Sequence, residues 1–381
     1  MTRLLELLIS TVIVAVLFGV VGLLLPSSRS LTESVETNRR QSIVFDTINS
    51  LRRFKDWNPV VLRDPGAQLQ LSGPDAGVGA KVDYTSKIES IGKGSWEIIE
   101  SDQDERVLFK LENPQRGSDK RMEFTLTPTG RNNRNIQITQ KYDVTYGWNL
   151  FGRYAGLYVS RNVGDDVKLG LGKLTSMLAS VPNVDYRVEG SKLRDLTTAE
   201  LPPENLLVVF AGAVERNNQI IKDSMKANIE WIKRTMDANG LEAAGPVRII
   251  STELGRENYT FDVAQPVRKK SGAAAATRPR PEGETGADPA RVAPTAVDYG
   301  ELTGLELLGP VTYTRTKGGR VAKAAYTGYM AELDNVRSAV RAWAMTQGYE
   351  VTDRPYEFYK NGVDEAFTEN GEYEVYWTLK Q

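Results

Sequence analysis

The chain has 381 residues, 40% of them hydrophobic, and a formal net charge of −1. That length suits two domains of ordinary size, and so small a charge provides no field to draw in nucleic acid, so none is expected as a partner. Cysteine and histidine are both absent, which excludes disulfides, thiolate nucleophiles, Ser-His-Asp machinery and most transition-metal sites.

Leu7–Leu25 reads LLISTVIVAVLFGVVGLLL, free of charge and closed by Pro26. At 1.5 Å per residue this run spans about 28 Å, close to the hydrocarbon core of a bilayer. It exceeds the apolar core of a signal peptide, and no clear A-x-A site follows. Residues 1–29 are therefore expected to be an uncleaved, single-pass membrane anchor. Arg3 and Glu6 before the run, and Arg29, Arg39 and Arg40 after it, do not fix the orientation by charge alone. The short N-terminal tail favours a bacterial inner membrane with the soluble domains on the periplasmic side.

Residues 30–182 form the first expected domain. An extended segment, Leu31–Thr37, leads into a helix over Ser42–Phe54, where Val44, Ile48 and Leu51 repeat at helical spacing. Short strand patterns begin at Ala67, Gly79, Ser95, Glu105 and Lys120, and a sixth runs from Asn135 to Tyr146. Val163, Val167, Leu171, Leu174 and Leu178 then make one apolar face of a long helix. Such a helix can cover one face of an antiparallel meander and leave a cavity between them.

The segment VFDTINSLRRFKDWNP (Val44–Pro59), the following Asp64-Pro65, the Gly77 and Gly79 pair and the closing helix resemble the START-like superfamily, also called SRPBCC or polyketide cyclase/dehydrase. The resemblance implies a helix-grip fold with an apolar cavity for lipids or other hydrophobic molecules. That family shares no catalytic residues, so it assigns none here. Trp57, beside Asn58-Pro59, reads as a packing plug more readily than as a ligand contact. Tyr84, Trp96, Phe109, Phe124, Tyr142 and Trp148 read as core or cavity lining.

Residues 184–381 form the second expected domain and contain an internal repeat. LLVVFAG (Leu206–Gly212), a helix through Ile221, Met225, Ile229, Ile232 and Met236 ending at Gly240, VRII, and YTFDVAQPV make the first copy. AKAAYTG (Ala322–Gly328), a helix through Leu333, Val336, Val340 and Trp343 ending at Gly348, YEFY, and YEVYWTL make the second. Each copy is strand–helix–strand–strand, too small to bury both faces alone. The intervening residues 269–296, rich in Ala, Pro, Gly and charge, read as a disordered insertion. The expected architecture is therefore α+β: an N-terminal transmembrane helix, a helix-grip antiparallel sheet, then a duplicated strand-helix-strand-strand domain.

Tyr326-Thr-Gly-Tyr329, the helix through Trp343, Gly348, the Pro355–Tyr359 strand and Glu374-Val-Tyr-Trp resemble the GyrI-like, or AraC-type effector-binding, small-molecule domain. Thr378 stands where that family usually has proline, and the long linker between repeats is a second departure. The resemblance implies a ligand groove between the repeats, with an acidic residue on the last strand, here Glu374, contacting cationic ligands. Independently, alternation places Glu372, Glu374 and Tyr376 on one strand face. A desolvated carboxylate beside aromatics can hold a cation through charge and π contact. The candidate ligand residues are Glu374, Tyr376, Tyr326, Tyr329, Trp343 and Tyr359, each of which core packing or solvent exposure would also explain.

The expected function is a membrane-anchored sensor or carrier for a small hydrophobic or cationic ligand, without a cofactor or metal and with no protein partner identifiable. Two alternatives stand beside it. One is a hydrolase or cyclase with Glu374 as base and a Tyr as proton donor. The other is a structural or interaction protein whose cavities are filled by its own side chains.

Overall fold

The computed structural model describes residues 2–188, 192–270 and 297–380. It is α+β, with an N-terminal apolar helix and two antiparallel sheets. The insertion expected at 269–296 lies, from residue 271 onward, outside the described residues. The chain divides into two compact units, Met1–Asp185 and, apart from Thr346–Gly348, Tyr186–Gln381.

In the first unit, α1 (Thr2–Leu24) is long and apolar enough to cross a membrane, a test that a signal sequence also passes. It leads into β1 (Ser28–Thr37) and α2 (Gln41–Asn49). The single helix expected over Ser42–Phe54 is interrupted. Ser50 is extended (φ −114°, ψ 118°), a helical turn follows at Leu51–Arg53, and then come α3 (Phe54–Trp57) and α4 (Pro59–Arg63). Pro59 forces the second break, because its ring disfavours helical backbone at Asn58, which sits at ψ 134°. Asn58 then caps α4, its side-chain oxygen accepting from the Val60 amide at 3.0 Å.

Strands β2 (Gln68–Ser72), β3 (Lys81–Thr85), β4 (Lys93–Asp102), β5 (Arg106–Glu112), β6 (Ser118–Thr129) and β7 (Asn135–Thr145) form the meander. The sheet order is β1-β7-β6-β5-β4-β3-β2. β1 starts earlier than the expected Leu31, and its register on β7 runs unbroken from Ser28↔Thr145 to Thr37↔Ile136. A short helix, α5 (Leu150–Ala155), precedes α6 (Val159–Leu178). Val167, Leu171, Leu174 and Leu178 of α6 are buried, as are Val82, Ile98, Phe109, Phe124 and Ile138 from successive strands. These positions alternate with more exposed ones, as a sheet with one covered face requires.

The second unit contains β8 (Leu193–Leu201), β9 (Asn205–Glu215), α7 (Asn218–Ala238), β10 (Leu241–Ala243), β11 (Val247–Leu254) and β12 (Asn258–Lys269). After the undescribed segment come β13 (Thr312–Arg315), β14 (Gly319–Thr327), α8 (Leu333–Thr346), β15 (Val351–Tyr359) and β16 (Glu372–Leu379). The strand order is β13-β9-β12-β11-β15-β16-β14-β8, with β10 paired to β12. Ile221, Met225 and Ile232 of α7 and Leu333, Val336 and Val340 of α8 enter one apolar core on one face of this sheet. Asn217 caps α7 by accepting from the amides of Gln219 and Ile220, and Gly240 and Gly348 take the left-handed backbone expected after each helix.

Candidate functional site

The first unit has a half-open cavity of about 440 Å³ between its sheet and α6. Alternation along the strands brings Tyr84 of β3, Trp96 of β4, Leu111 of β5, Met122 of β6, and Gln140 and Tyr142 of β7 to its wall. Val163, Asp166 and Val167 of α6 and Asn58 at the start of α4 also line it. Gly94 makes room for one of these groups, since a Cβ there would meet the Tyr84 hydroxyl oxygen at 2.4 Å.

The wall is mixed, with Trp96, Leu111, Met122 and Val167 set among polar groups that include Asn113, Gln115, Arg161 and Asn162. Burial pushes the Tyr84 phenol up to about 12 and raises that of Tyr142 further, so both remain neutral hydroxyls at physiological pH. Burial also raises the Asp166 carboxyl, against the pull of Arg63, to which it is hydrogen-bonded. That pairing occupies Asp166 as a structural anion. Two other groups have no such match: the Asn58 Nδ2 and Gln140 Oε1 atoms are buried and without a hydrogen-bond partner among the described residues. A buried amide left unpaired costs about 1–3 kcal/mol, and a ligand recovers that cost once the side chains covering the amide shift to let it pair, since neither atom is itself exposed to the cavity. Asn58 is in this state because its other amide atom is committed to the α4 cap.

Trp57 packs edge-on against Phe54, Trp96 and Phe124, with ring centroids 5.7–6.3 Å apart, and is fully buried. It serves as a packing plug, and Trp96 is the ring that connects that cluster to the cavity. Phe109 and Phe124 are core. Trp148 corrects the expectation of core or lining, for it is 84% exposed. It follows the turn at Gly147, beyond the last sheet residue of β7, where strand alternation no longer dictates which way a side chain faces.

In the second unit, the six candidate residues divide between two faces of one sheet. Tyr326, Tyr359 and Trp343 belong to the helix-covered core, where Tyr326 stacks on Tyr373 at 5.9 Å and donates its hydroxyl to Glu332 at 2.5 Å. Glu374 and Tyr376 lie on the opposite face, as period-two alternation requires, and Tyr329 is exposed at the end of β14. On that opposite face Tyr376 stacks on Tyr356 (5.1 Å, 5° between planes), and the Arg248 guanidinium lies 4.3 Å from the Tyr356 ring and 4.6 Å from that of Phe358. The Tyr376 hydroxyl donates to Glu374 at 2.6 Å, and Lys360 reaches the same carboxylate at 3.5 Å. Burial acts to raise the Glu374 carboxyl, but the Tyr376 hydrogen bond together with Lys360 and Lys323 holds it below its usual value. A carboxylate so held is a poor general base near neutral pH.

A groove of about 750 Å³ runs along this face near the β11–β15 seam, lined by Leu206, Ile250, Val321, Tyr356, Arg248 and Arg354 among others. Lys317 and Lys380 also line it, with Glu204 as the acid among its described lining. Arg248 pairs with Glu204, and Arg354 with Asp262 at 3.0 Å. Sequence reasoning missed Arg248 and Arg354, although VRII and the Arg354-Pro355 step lay within the recognised repeat. On the helix side, Arg337 and Glu357 form a fully buried ion pair beside Tyr259, with the Tyr359 hydroxyl buried and unpartnered.

No family model matches the chain, and no curated protein matches it. Among solved structures, the chain is similar to the protein Ms6760 from Mycobacterium smegmatis, with 15% identity over 40% of this chain and 91% of that one and a TM-score of 0.30. It is similar to norcoclaurine synthase from Thalictrum flavum in complex with dopamine and hydroxybenzaldehyde, with 13% identity over 40% and 87% and a TM-score of 0.31. Both are Bet v1/SRPBCC-like folds. EcmrR in a DNA complex matches 61% of this chain and 70% of its own, with 14% identity and a TM-score of 0.35.

Proposed function

We propose that the chain is a membrane-anchored small-molecule- or lipid-binding protein, a sensor or carrier with an anchor over 1–29 and binding domains over 30–182 and 184–381. The observation that carries this reading is the first cavity, whose mixed apolar and polar wall includes two residues with a buried, unpaired amide atom, Asn58 (Nδ2) and Gln140 (Oε1). Its volume lies within the roughly 300–1,000 Å³ typical of ligand pockets. Its chemistry suits one amphipathic molecule, with a chain against Trp96, Leu111 and Met122 and a polar end at the amides. The meander covered by α6 supports a helix-grip architecture for this domain. The order β9-β12-β11, matched by β14-β16-β15 read from the other side, supports a duplicated second domain.

For that second domain, the groove lined by Arg248, Lys317, Arg354 and Lys380 favours an anionic or neutral aromatic ligand. A cationic ligand would have to displace Lys360 from Glu374.

The test is a binding titration of a fluorescent fatty acid to wild type and Gln140→Leu, with the stability of each ligand-free protein. The variant is expected to be more stable by about 1–3 kcal/mol, having lost a buried unpaired amide, and to bind about tenfold more weakly. Lower stability with unchanged affinity would show that the amide is structural and would remove the support for this cavity as a binding site.

A further inference from the structure

The polypeptide around α5 presents apolar and aromatic side chains to the outside. Trp148 is 84% exposed, Phe151 63%, Tyr158 60% and Leu157 51%. They lie within a dozen residues of one another, and α5 is packed directly onto the last turns of α1. Phe18 of α1 stacks on Tyr154 at 4.4 Å and meets Phe151 at 5.1 Å, and the Tyr154 hydroxyl donates to the Phe18 carbonyl at 2.9 Å. Arg153 donates to the carbonyls of Leu23 and Leu25 at 2.9 and 3.1 Å, supplying a cation to a helix C-terminus that leaves carbonyls unpaired.

The two chain segments that form this patch carry basic residues and no acidic ones. No acidic residue occurs between Asp143 and Asp165, a stretch that carries Arg153 and Arg161. Arg116, in the β5–β6 loop, lies 5.6 Å over the Phe151 ring, and that loop has no acid between Glu112 and Asp119. Exposed Trp, Tyr, Phe and Leu interleaved with arginine match the interfacial zone of a bilayer, where aromatic rings lie at headgroup depth and cations meet anionic lipid. Phe18 is six residues before the end of α1, so the α5 contact lies about 9 Å along the helix from its terminus. That is the depth to which interfacial helices bury their apolar face.

We propose that Trp148–Tyr158 is a second membrane contact, docked in the interface of the bilayer that α1 crosses, and that it sets the rim of the first cavity against the lipid surface. The two are continuous in the chain. Asn113 and Gln115 line the cavity and belong to the same loop that places Arg116 on Phe151. Arg161, Asn162 and Val163, which begin three residues after Tyr158, line it as well. The cavity's occupant is then a bilayer lipid, or a molecule dissolved in the bilayer, entering from the membrane side. This inference rests on the reading of α1 as a retained anchor.

Because the natural chain has no cysteine, one label can be placed at will. Full-length Phe151→Cys, Tyr158→Cys and Arg131→Cys proteins are labelled with bimane and reconstituted into phosphatidylethanolamine–phosphatidylglycerol vesicles containing a nitroxide-labelled phospholipid. Arg131 is exposed at the opposite end of β6, about 35 Å along the strand from Ser118. The labels at 151 and 158 are expected to be quenched at least threefold more than the label at 131. Alkaline carbonate washing of the same vesicles reports on the anchor. Retained protein with equal quenching at all three sites would overturn the docking while leaving the anchor intact. Release by carbonate would overturn the anchor, and the docking with it.

Discussion

Arg337 and Glu357 are a buried ion pair on the helix-covered face of the second sheet, and nothing nearby could hydrate either partner alone. Burial opposes the Arg337 charge, and Glu357 together with the Tyr259 and Tyr359 phenols restores it. Replacing Glu357 with Gln would leave that charge uncompensated, at an expected loss of about 3–5 kcal/mol in denaturant unfolding. The joint change Arg337→Met with Glu357→Leu is expected to lose far less, or to gain stability. A single-variant loss below about 1 kcal/mol would show that the pair carries no such strain. Half of this arrangement was legible in the sequence. Alternation along YEFY sets Glu357 and Tyr359 on one face and Tyr356 and Phe358 on the other. The same rule separates Glu374 and Tyr376 from Tyr326 and Tyr359, which the sequence had grouped by their closeness to the repeat motifs. Arg337 could not be foreseen as the partner, because helical periodicity identifies the apolar stripe and does not say which polar residue at its edge turns inward.

Two of the three glycines of helix α6 have opposite roles. Gly170 is buried, and a Cβ there would lie 3.2 Å from Pro59 Cδ and 3.4 Å from the Trp57 carbonyl oxygen, so its bare backbone lets the α3–α4 segment approach. Gly172, two residues on and so on the opposite side of the helix, is exposed with nothing within 4 Å of a Cβ. Gly172→Ala should raise stability by about 0.5–1 kcal/mol by reducing the freedom of the unfolded chain. Gly170→Leu should lower it by about 1–3 kcal/mol through overpacking. Equal effects of the two changes on the unfolding midpoint would contradict this packing of α6. Long elements with a strong period, such as α6, α7 and β7, were readable from residue spacing. α5 was not, since its six residues are too few to display a helical period. β8 was missed for a related reason, as its half-exposed LRDLTTAEL pattern carries little apolar alternation.

At the scale of the whole molecule, an apolar helix long enough to span a bilayer, a cavity with unpaired amides and an aromatic patch against that helix lie in one unit of the chain. Composition and hydropathy were enough to indicate the first, and the order of strands and helices indicated that a cavity could form. Neither could reveal the patch, because Trp148 and Phe151 have the composition of a core and only the path of the chain turns them outward. The most direct measurement is native mass spectrometry of the full-length protein released from lipid nanodiscs, compared with a Met122→Trp variant whose larger side chain fills the cavity. One lipid-mass adduct is expected to be retained on each wild-type chain and lost from the variant, while both proteins unfold cooperatively. Wild-type chains without an adduct, or the same adducts on both proteins, would contradict this reading.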